Sequence, residues 1–529
     1  MLSRGKSACA AWLCCMTLSV LANADDHLTI KTDKGKIHGK LSDDGQVRAF
    51  LGVPYSAPPV GLLRWKPPQA SIKWSGVRET TSFGFRCMQP DIFHDMHFRD
   101  SGESEDCLTL NVWTPAKDKH AKLPVMVWIY GGGFVAGATS EPRQDGEHLA
   151  HKGVVVVSMN YRLGLFGFFV HPGLAAESPQ HSAGNYGLMD QTAALEWVKR
   201  NVSAFGGDPN NVTLFGESAG SFSVSAQMAS PLAQGLFAHA IGESGAAFYS
   251  RGLSFASLEE REKNDPAFAM SVFGTSDLAP LRAMSAQDMM QKMATQANPG
   301  RPGVGPDVDG YFLPEPVPQI YKEGKQAHIS LLAGWNRDEP SALAVNFPQS
   351  PTVQSFQQTA QKSFGDRAQD FLRVYSAQTD AEAMRSAIDF AGDSFIAFST
   401  WQWLEAQIAT GAAPVYRYHF ERPAPADKYH PAGSGAFHSD EIEYVFGTLN
   451  ARPDAVWQPE DQKLSDLVET YWTNFARTGN PNGAGAPEWP QSNAGNDWQL
   501  MHLDVNSQAG PDQHRDRYLF LQNVWAKTD

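Results

Sequence analysis

Cysteine is scarce in this 529-residue chain, and it is unevenly placed: three of the five residues are Cys9, Cys14 and Cys15, and only Cys87 and Cys107 follow. Beyond the N-terminal segment there is therefore room for one disulfide and no more. Positive charge is also in deficit. The 43 Lys and Arg against 57 Asp and Glu leave a net charge of −14, which argues against nucleic acid or an anionic membrane surface as a partner. It says little about small neutral substrates. Long apolar runs are missing after the N-terminus, so no further segment is expected to cross a bilayer. There is no internal repeat, coiled coil or long low-complexity tract. Strong metal-ligand spacings are absent too: His94 and His97 with Asp91 and Asp95 come nearest, and their spacing matches no established ligand motif. No metal and no cofactor are expected, and the oligomeric state stays open.

What is present begins with residues 1–24. Arg4 and Lys6 form a charged start, Ala8 to Leu21 an apolar stretch, and Ala22-Asn23-Ala24 a small-residue cleavage pattern. These are the parts of a signal peptide. A membrane anchor is the alternative, but the apolar run is short and no stop-transfer flank follows. Residues 25–529 are read as a single large domain of an exported protein, periplasmic or secreted; 42% hydrophobic and 19% charged residues suffice for a large core. In such a compartment the pair Cys87 and Cys107 reads as a disulfide. Two unrelated buried thiols are the alternative.

Two glycine-rich stretches carry the chemistry. Val212 to Phe215 is a short apolar strand that runs into Gly216-Glu217-Ser218-Ala219-Gly220, and Ser221 to Met228 continues as a helix of small residues. Strand, Gly-x-Ser-x-Gly and helix are the context of a nucleophile elbow, which exposes the Ser218 hydroxyl over a helix N-terminus. The pentapeptide alone is weak evidence, since a serine in a glycine-rich turn looks the same; Gly242-Glu243-Ser244-Gly245-Ala246 lacks only the last glycine. The second stretch is Gly131-Gly132-Gly133, at the end of the buried strand expected over Leu123 to Tyr130. Consecutive glycines let backbone N–H groups converge on a developing oxyanion. A second strand over Val154 to Ser158 and a helix over Met189 to Asn201 complete an α/β alternation, which predicts a mostly parallel sheet with helices on both faces. Leu51 to Pro67, rich in proline and glycine, is expected to be extended and irregular. Met284, Met289, Met290 and Met293 lie near helical spacing and read as core, with an adaptable pocket wall as the alternative.

Further stretches carry a family signature: Leu51–Pro67, Glu105–Val112, Tyr130–Phe134, Asn160–Arg162, Gly184–Gly220 and Trp472–Gly483. Taken together the chain resembles the type-B carboxylesterase and cholinesterase family of α/β-hydrolases, in a bacterial-type form, over nearly all of the mature sequence. The resemblance implies hydrolysis of a small-molecule carboxylic ester through an acyl-enzyme. By it, Ser218 is the nucleophile, Glu339 the acid and His438 the base. The N–H groups of Gly132, Gly133 and Ala219 would form the oxyanion hole, and Ser244 would support the acid. Cys87–Cys107 matches the family's first disulfide. Pro340 is a departure, because the family more often has glycine there. Both Glu339 and His438 follow expected strands, over Ser330–Gly334 and Val415–Phe420, in the chain order serine, acid, histidine of this fold. Asp338 and Glu441 are rival acids close by. The other fifteen histidines are assigned surface or structural roles. A specialised esterase, for polycarboxylate toxin esters, lactones or phenolic esters, is an alternative within the enzymes. A non-catalytic binding member is the alternative outside them.

Overall fold

The computed structural model describes residues 26–249, 255–295, 305–340 and 351–525. The segment read as a signal peptide lies outside them.

An eleven-stranded sheet organises the chain. Its strands are β1 (Lys40–Leu41), β2 (Arg48–Pro54), β3 (Thr109–Thr114), β4 (Leu123–Ile129), β5 (Val155–Met159), β6 (Gly207–Glu217), β7 (His239–Glu243), β8 (Ser330–Asn336), β9 (Val415–Phe420), β10 (Gln499–Leu503) and β11 (Gln508–Pro511). Their spatial order is β11-β10-β9-β8-β7-β6-β4-β5-β3-β2-β1. From β5 across to β10 every pairing is parallel, while β3, β2, β1 and β11 pair antiparallel at the two sides. The central strands are the unbroken apolar runs seen in the sequence. Val125 to Ile129 and Val155 to Val157 are fully buried, as a strand covered on both faces requires.

Helices cover both sides of the sheet. The chain's helices include α1 (Tyr186–Asn201), α2 (Ala219–Ala229), α3 (Ala286–Ala294), which lies against another helix, α4 (Phe398–Thr410) and α5 (Pro459–Thr478). Helix α2 packs on β6 and β7, α4 on β8 and β9, and α5 on β4 and β6. Every residue of α2 is buried. Its Ala, Gly and Ser residues let the helix sit close to the sheet directly behind the elbow.

Two details differ from the sequence expectations. Leu51 to Pro54 is not irregular but part of β2, which pairs with β3 through a register shift between Phe50 and Val53. Helix α1 begins at Tyr186, ahead of the apolar periodicity that starts at Met189. The methionine stripe is divided. Met289 and Met293 are buried core, while Met290 and Met293 also line a small cavity with Val135 and Phe166. Cys87 and Cys107 are bonded to each other, with their Cα atoms 5.1 Å apart.

Candidate active site

The C-terminal ends of the parallel strands collect the chemistry, as open α/β sheets do. Strand β6 ends at Glu217, and Ser218 follows with φ 53° and ψ −121° before α2 begins at Ala219. That conformation is costly for a residue with a side chain and persists only where its surroundings over-determine it. Here they do. The Ser218 N–H donates to the Glu243 carbonyl at 2.8 Å, and the Ser218 carbonyl accepts from Phe222 N–H at 2.9 Å. The flanking glycines are steric necessities. A β-carbon on Gly216 would stand 2.6 Å from the Ile129 carbonyl oxygen, and one on Gly220 would overlap the same oxygen.

A continuous hydrogen-bonded chain runs from this serine. His438 Nε2 lies 2.9 Å from Ser218 Oγ, and His438 Nδ1 lies 2.6 Å from Glu339 Oε2. The other Glu339 oxygen accepts from Ser244 Oγ at 2.6 Å and from the Asn336 N–H at 2.8 Å. Both carboxylate oxygens are thus occupied, and the group is buried at 2% exposure. His438 keeps 25% of its side-chain surface exposed. Phe395 packs edge-on against the imidazole, 5.2 Å between centroids. The loop bearing His438 is tied to the loop bearing Glu339 by His438 N–H to the Glu339 carbonyl at 3.2 Å and Asp338 N–H to the Ala436 carbonyl at 2.9 Å.

The neighbouring acids have other partners. Asp338 accepts from Arg385 at 2.5 Å and from the Ala436 N–H at 3.0 Å, so its side chain faces away from His438. Glu441 accepts from Asn336 Nδ2. Pro340 lies against Gly392, where a β-carbon would come within 3.1 Å of its ring.

Gly132 and Gly133 turn the chain after β4 with φ 96° and 63°, and the Gly132 carbonyl accepts from Val135 and Ala136 N–H groups. Gly131 lies directly against Ser218. Among the described residues, no acceptor is paired with the N–H groups of Gly132, Gly133 or Ala219. Met96, from the loop closed by the disulfide, lies over Gly132.

The carboxylesterase family model matches residues 26–520. The chain belongs to the carboxylesterase family. It is 36% identical to a fumonisin B1 esterase of Sphingopyxis macrogoltabida, covering 92% of this chain and 89% of that one. It is 37% identical to the para-nitrobenzyl esterase of Bacillus subtilis (strain 168), covering 88% and 92%. With a liver carboxylesterase of Sus scrofa the identity is 36%, over 94% and 93%. The fold is the family's α/β-hydrolase fold, and the protein is an enzyme, a carboxylic-ester hydrolase. No helix of the described residues is long and apolar enough to cross a membrane.

A cluster of carboxyls surrounds His438, and one of its members, Glu217, carries no sequence signal of that role. Glu217 Oε1 stands 3.2 Å from His438 Nε2, and Glu441 lies behind the acid loop. Burial pushes Glu217 up to about 7 against the opposing pull of His438 and Arg143, and burial with Glu217 and Glu339 pushes Glu441 up to about 8. Burial by itself disfavours the His438 imidazolium. The charges of Glu217 and then Glu339 outweigh it and carry the histidine up to about 9. Glu217 was in view as the second residue of Gly-x-Ser-x-Gly, but nothing in that motif says which way its side chain turns.

Proposed function

We propose that Ser218, His438 and Glu339 perform the ester hydrolysis, with the N–H groups of Gly132, Gly133 and Ala219 as the oxyanion hole. The observation that carries this reading is the unbroken chain from Ser218 Oγ through the imidazole to Glu339. His438 Nε2 takes the Ser218 proton as Oγ attacks the ester carbonyl. The carbonyl oxygen becomes an anion beside the glycine turn and the N-terminus of α2, where the three unpaired N–H groups lie. His438 then passes its proton to the departing alcohol, and the acyl group remains on Ser218. Water, deprotonated by the same nitrogen, releases the acid. Glu339 keeps Nδ1 protonated and stabilises the imidazolium. Ser244 and the Asn336 N–H hold Glu339 by its second oxygen.

Residues 25–529 are read as one domain, which the span of the sheet from Lys40 to Pro511 supports. Export with loss of residues 1–24 rests on the charged start, apolar stretch and small-residue triplet, and on the Cys87–Cys107 bond. The substrate is proposed as a small-molecule carboxylic ester. The relative named fumonisin B1 esterase makes fumonisin B1 worth testing beside simple esters.

The test is Ser218→Ala. A fluorophosphonate should add its phosphonyl mass to the wild-type protein at the peptide containing Ser218 and leave the variant unmodified. Hydrolysis of p-nitrophenyl esters should fall by several orders of magnitude in the variant. Labelling at another serine, or near-normal turnover by folded Ser218→Ala, would sink the assignment.

A further inference from the structure

A second cluster of chemically capable side chains lies outside the esterase site. His419 is on β9, Glu421 follows that strand, and His502 is on β10. The two histidines are register partners in the parallel pairing of these strands, and residue 421, two positions after 419, returns to the same face. The side chains meet. His419 Nδ1 is 2.9 Å and His502 Nδ1 2.6 Å from the same oxygen, Oε1 of Glu421. One ligand atom from each residue lies within 4.8 Å of the others. It is the only such three-residue group among the described residues.

The surroundings suit an ion. The three residues line a cavity of about 360 Å³, and their side chains are 18%, 25% and 24% exposed. An ion can therefore enter, and water can complete its coordination. Three of the four arginines on the cavity wall have carboxylates of their own: Arg417 pairs with Asp512, Arg517 with Asp389, and Arg385 with Asp338 and Asp389; the fourth, Arg337, forms no ion pair with Glu421 or any other carboxylate among the described residues. The Glu421 carboxylate is left to the histidines. The strand pairing does not need it, because the Glu421 N–H already donates to the Leu503 carbonyl at 2.9 Å.

We propose that His419, Glu421 and His502 bind a divalent transition-metal ion of the zinc class. Two imidazoles and one carboxylate are a donor set for such an ion, whereas calcium and magnesium prefer oxygen alone. Ligand atoms about 2.1 Å from a tetrahedral zinc stand about 3.4 Å apart. The two contacts of 2.9 and 2.6 Å reach that spacing by lengthening about 0.5 and 0.8 Å. The fourth position faces the cavity and is filled by water. The ion cross-links β9 to β10, beside the strand β8 that leads to Glu339. It acts as a staple of the sheet edge, and no step of ester hydrolysis passes through it.

The experiment uses the full mature protein, stripped with chelator and titrated with zinc chloride by calorimetry, with a thermal melt at each zinc level. The expected result is one zinc per chain, bound at micromolar concentration or tighter, with a melting temperature that rises with zinc. Glu421→Gln and His502→Gln should each weaken binding by more than ~100-fold, abolish the zinc-dependent rise, and retain p-nitrophenyl ester hydrolysis as evidence of folding. His97→Gln, in the disulfide loop, should bind as wild type does. If the folded wild type takes up no zinc at ~100 μM, the cluster is a hydrogen-bonded trio and the proposal falls. It falls equally if zinc binds but both cluster variants bind it unchanged.

Discussion

Replacing Glu217 with glutamine isolates one charge beside the proposed base. The substitution keeps the volume and removes the anion 3.2 Å from His438 Nε2. Two unit charges at that separation interact by about 1.3 kcal/mol in bulk water and by about 5 kcal/mol at an effective dielectric of 20. At about 1.4 kcal/mol per pH unit, this spans roughly one to four units. Glu217 is itself pushed by burial up to about 7, below the value of about 9 for His438, so its charge is nearly complete where the histidine titrates. The His438 side chain is 25% exposed, so solvent screens the pair, and a shift of at least about one unit is expected. The sign is fixed by which form the anion favours. An ionised Glu217 stabilises the imidazolium and raises the histidine, which stands at about 9 with Glu217 and Glu339 outweighing burial. The base must be neutral to act, so activity rises as pH climbs through this range. Without the Glu217 charge the imidazolium is less stable, and the rising limb moves to lower pH. The assay is kcat/KM on p-nitrophenyl acetate from about pH 5 to about pH 10, which reports the free enzyme's groups. Glu339, Glu441 and Arg143 also act on this histidine or its partner, and they are unchanged in the comparison. A rising limb that stays within ~0.3 unit of wild type, or moves upward, would refute the electrostatic argument.

Glu339→Gln should lower kcat by orders of magnitude in folded protein, whereas Asp338→Asn, which loses the Arg385 ion pair, should mainly lower the melting temperature; circular dichroism with kcat on one activated ester separates the two, and the reverse pattern would move the acid by one residue. Denatured, unreduced protein prepared without residues 1–24 should show no free thiol on titration. Cys87→Ser with Cys107→Ser, opening a loop with a sequence separation of 20, should cost roughly 3 kcal/mol in denaturant unfolding. Gly220→Ala should abolish activity and destabilise the fold, since its β-carbon would overlap the Ile129 carbonyl oxygen; an active variant with wild-type melting temperature would contradict the close packing of α2 on β4.

The local pattern was strong enough to announce the parallel strands and the elbow. Val125–Ile129, Val155–Val157 and Leu331–Ala333 are apolar without interruption because both faces of their sheet are covered. Gly216 and Gly220 flank Ser218 because backbone passes where a β-carbon would stand. These are short-range constraints, written in a few adjacent residues, so composition and spacing carry them. The family signature added the choice of Glu339 and His438, 121 and 220 residues beyond Ser218, which no local pattern could link. Less is legible where sequence-distant groups share a location. Leu51–Pro67 reads as extended and irregular; its first four residues are extended but regular, because β3 pairs with them. His419 and His502 read as surface or structural histidines, and both do hydrogen-bond Glu421; that they share one oxygen follows only from the parallel register of β9 and β10. Glu217 was a motif letter until tertiary packing turned its carboxyl toward His438. Burial and charge proximity are properties of the assembled sheet. The residue types and the individual strands were encoded locally, but the protonation of the carboxyl cluster and the meeting of the histidines arise only when strands distant in sequence come to lie side by side.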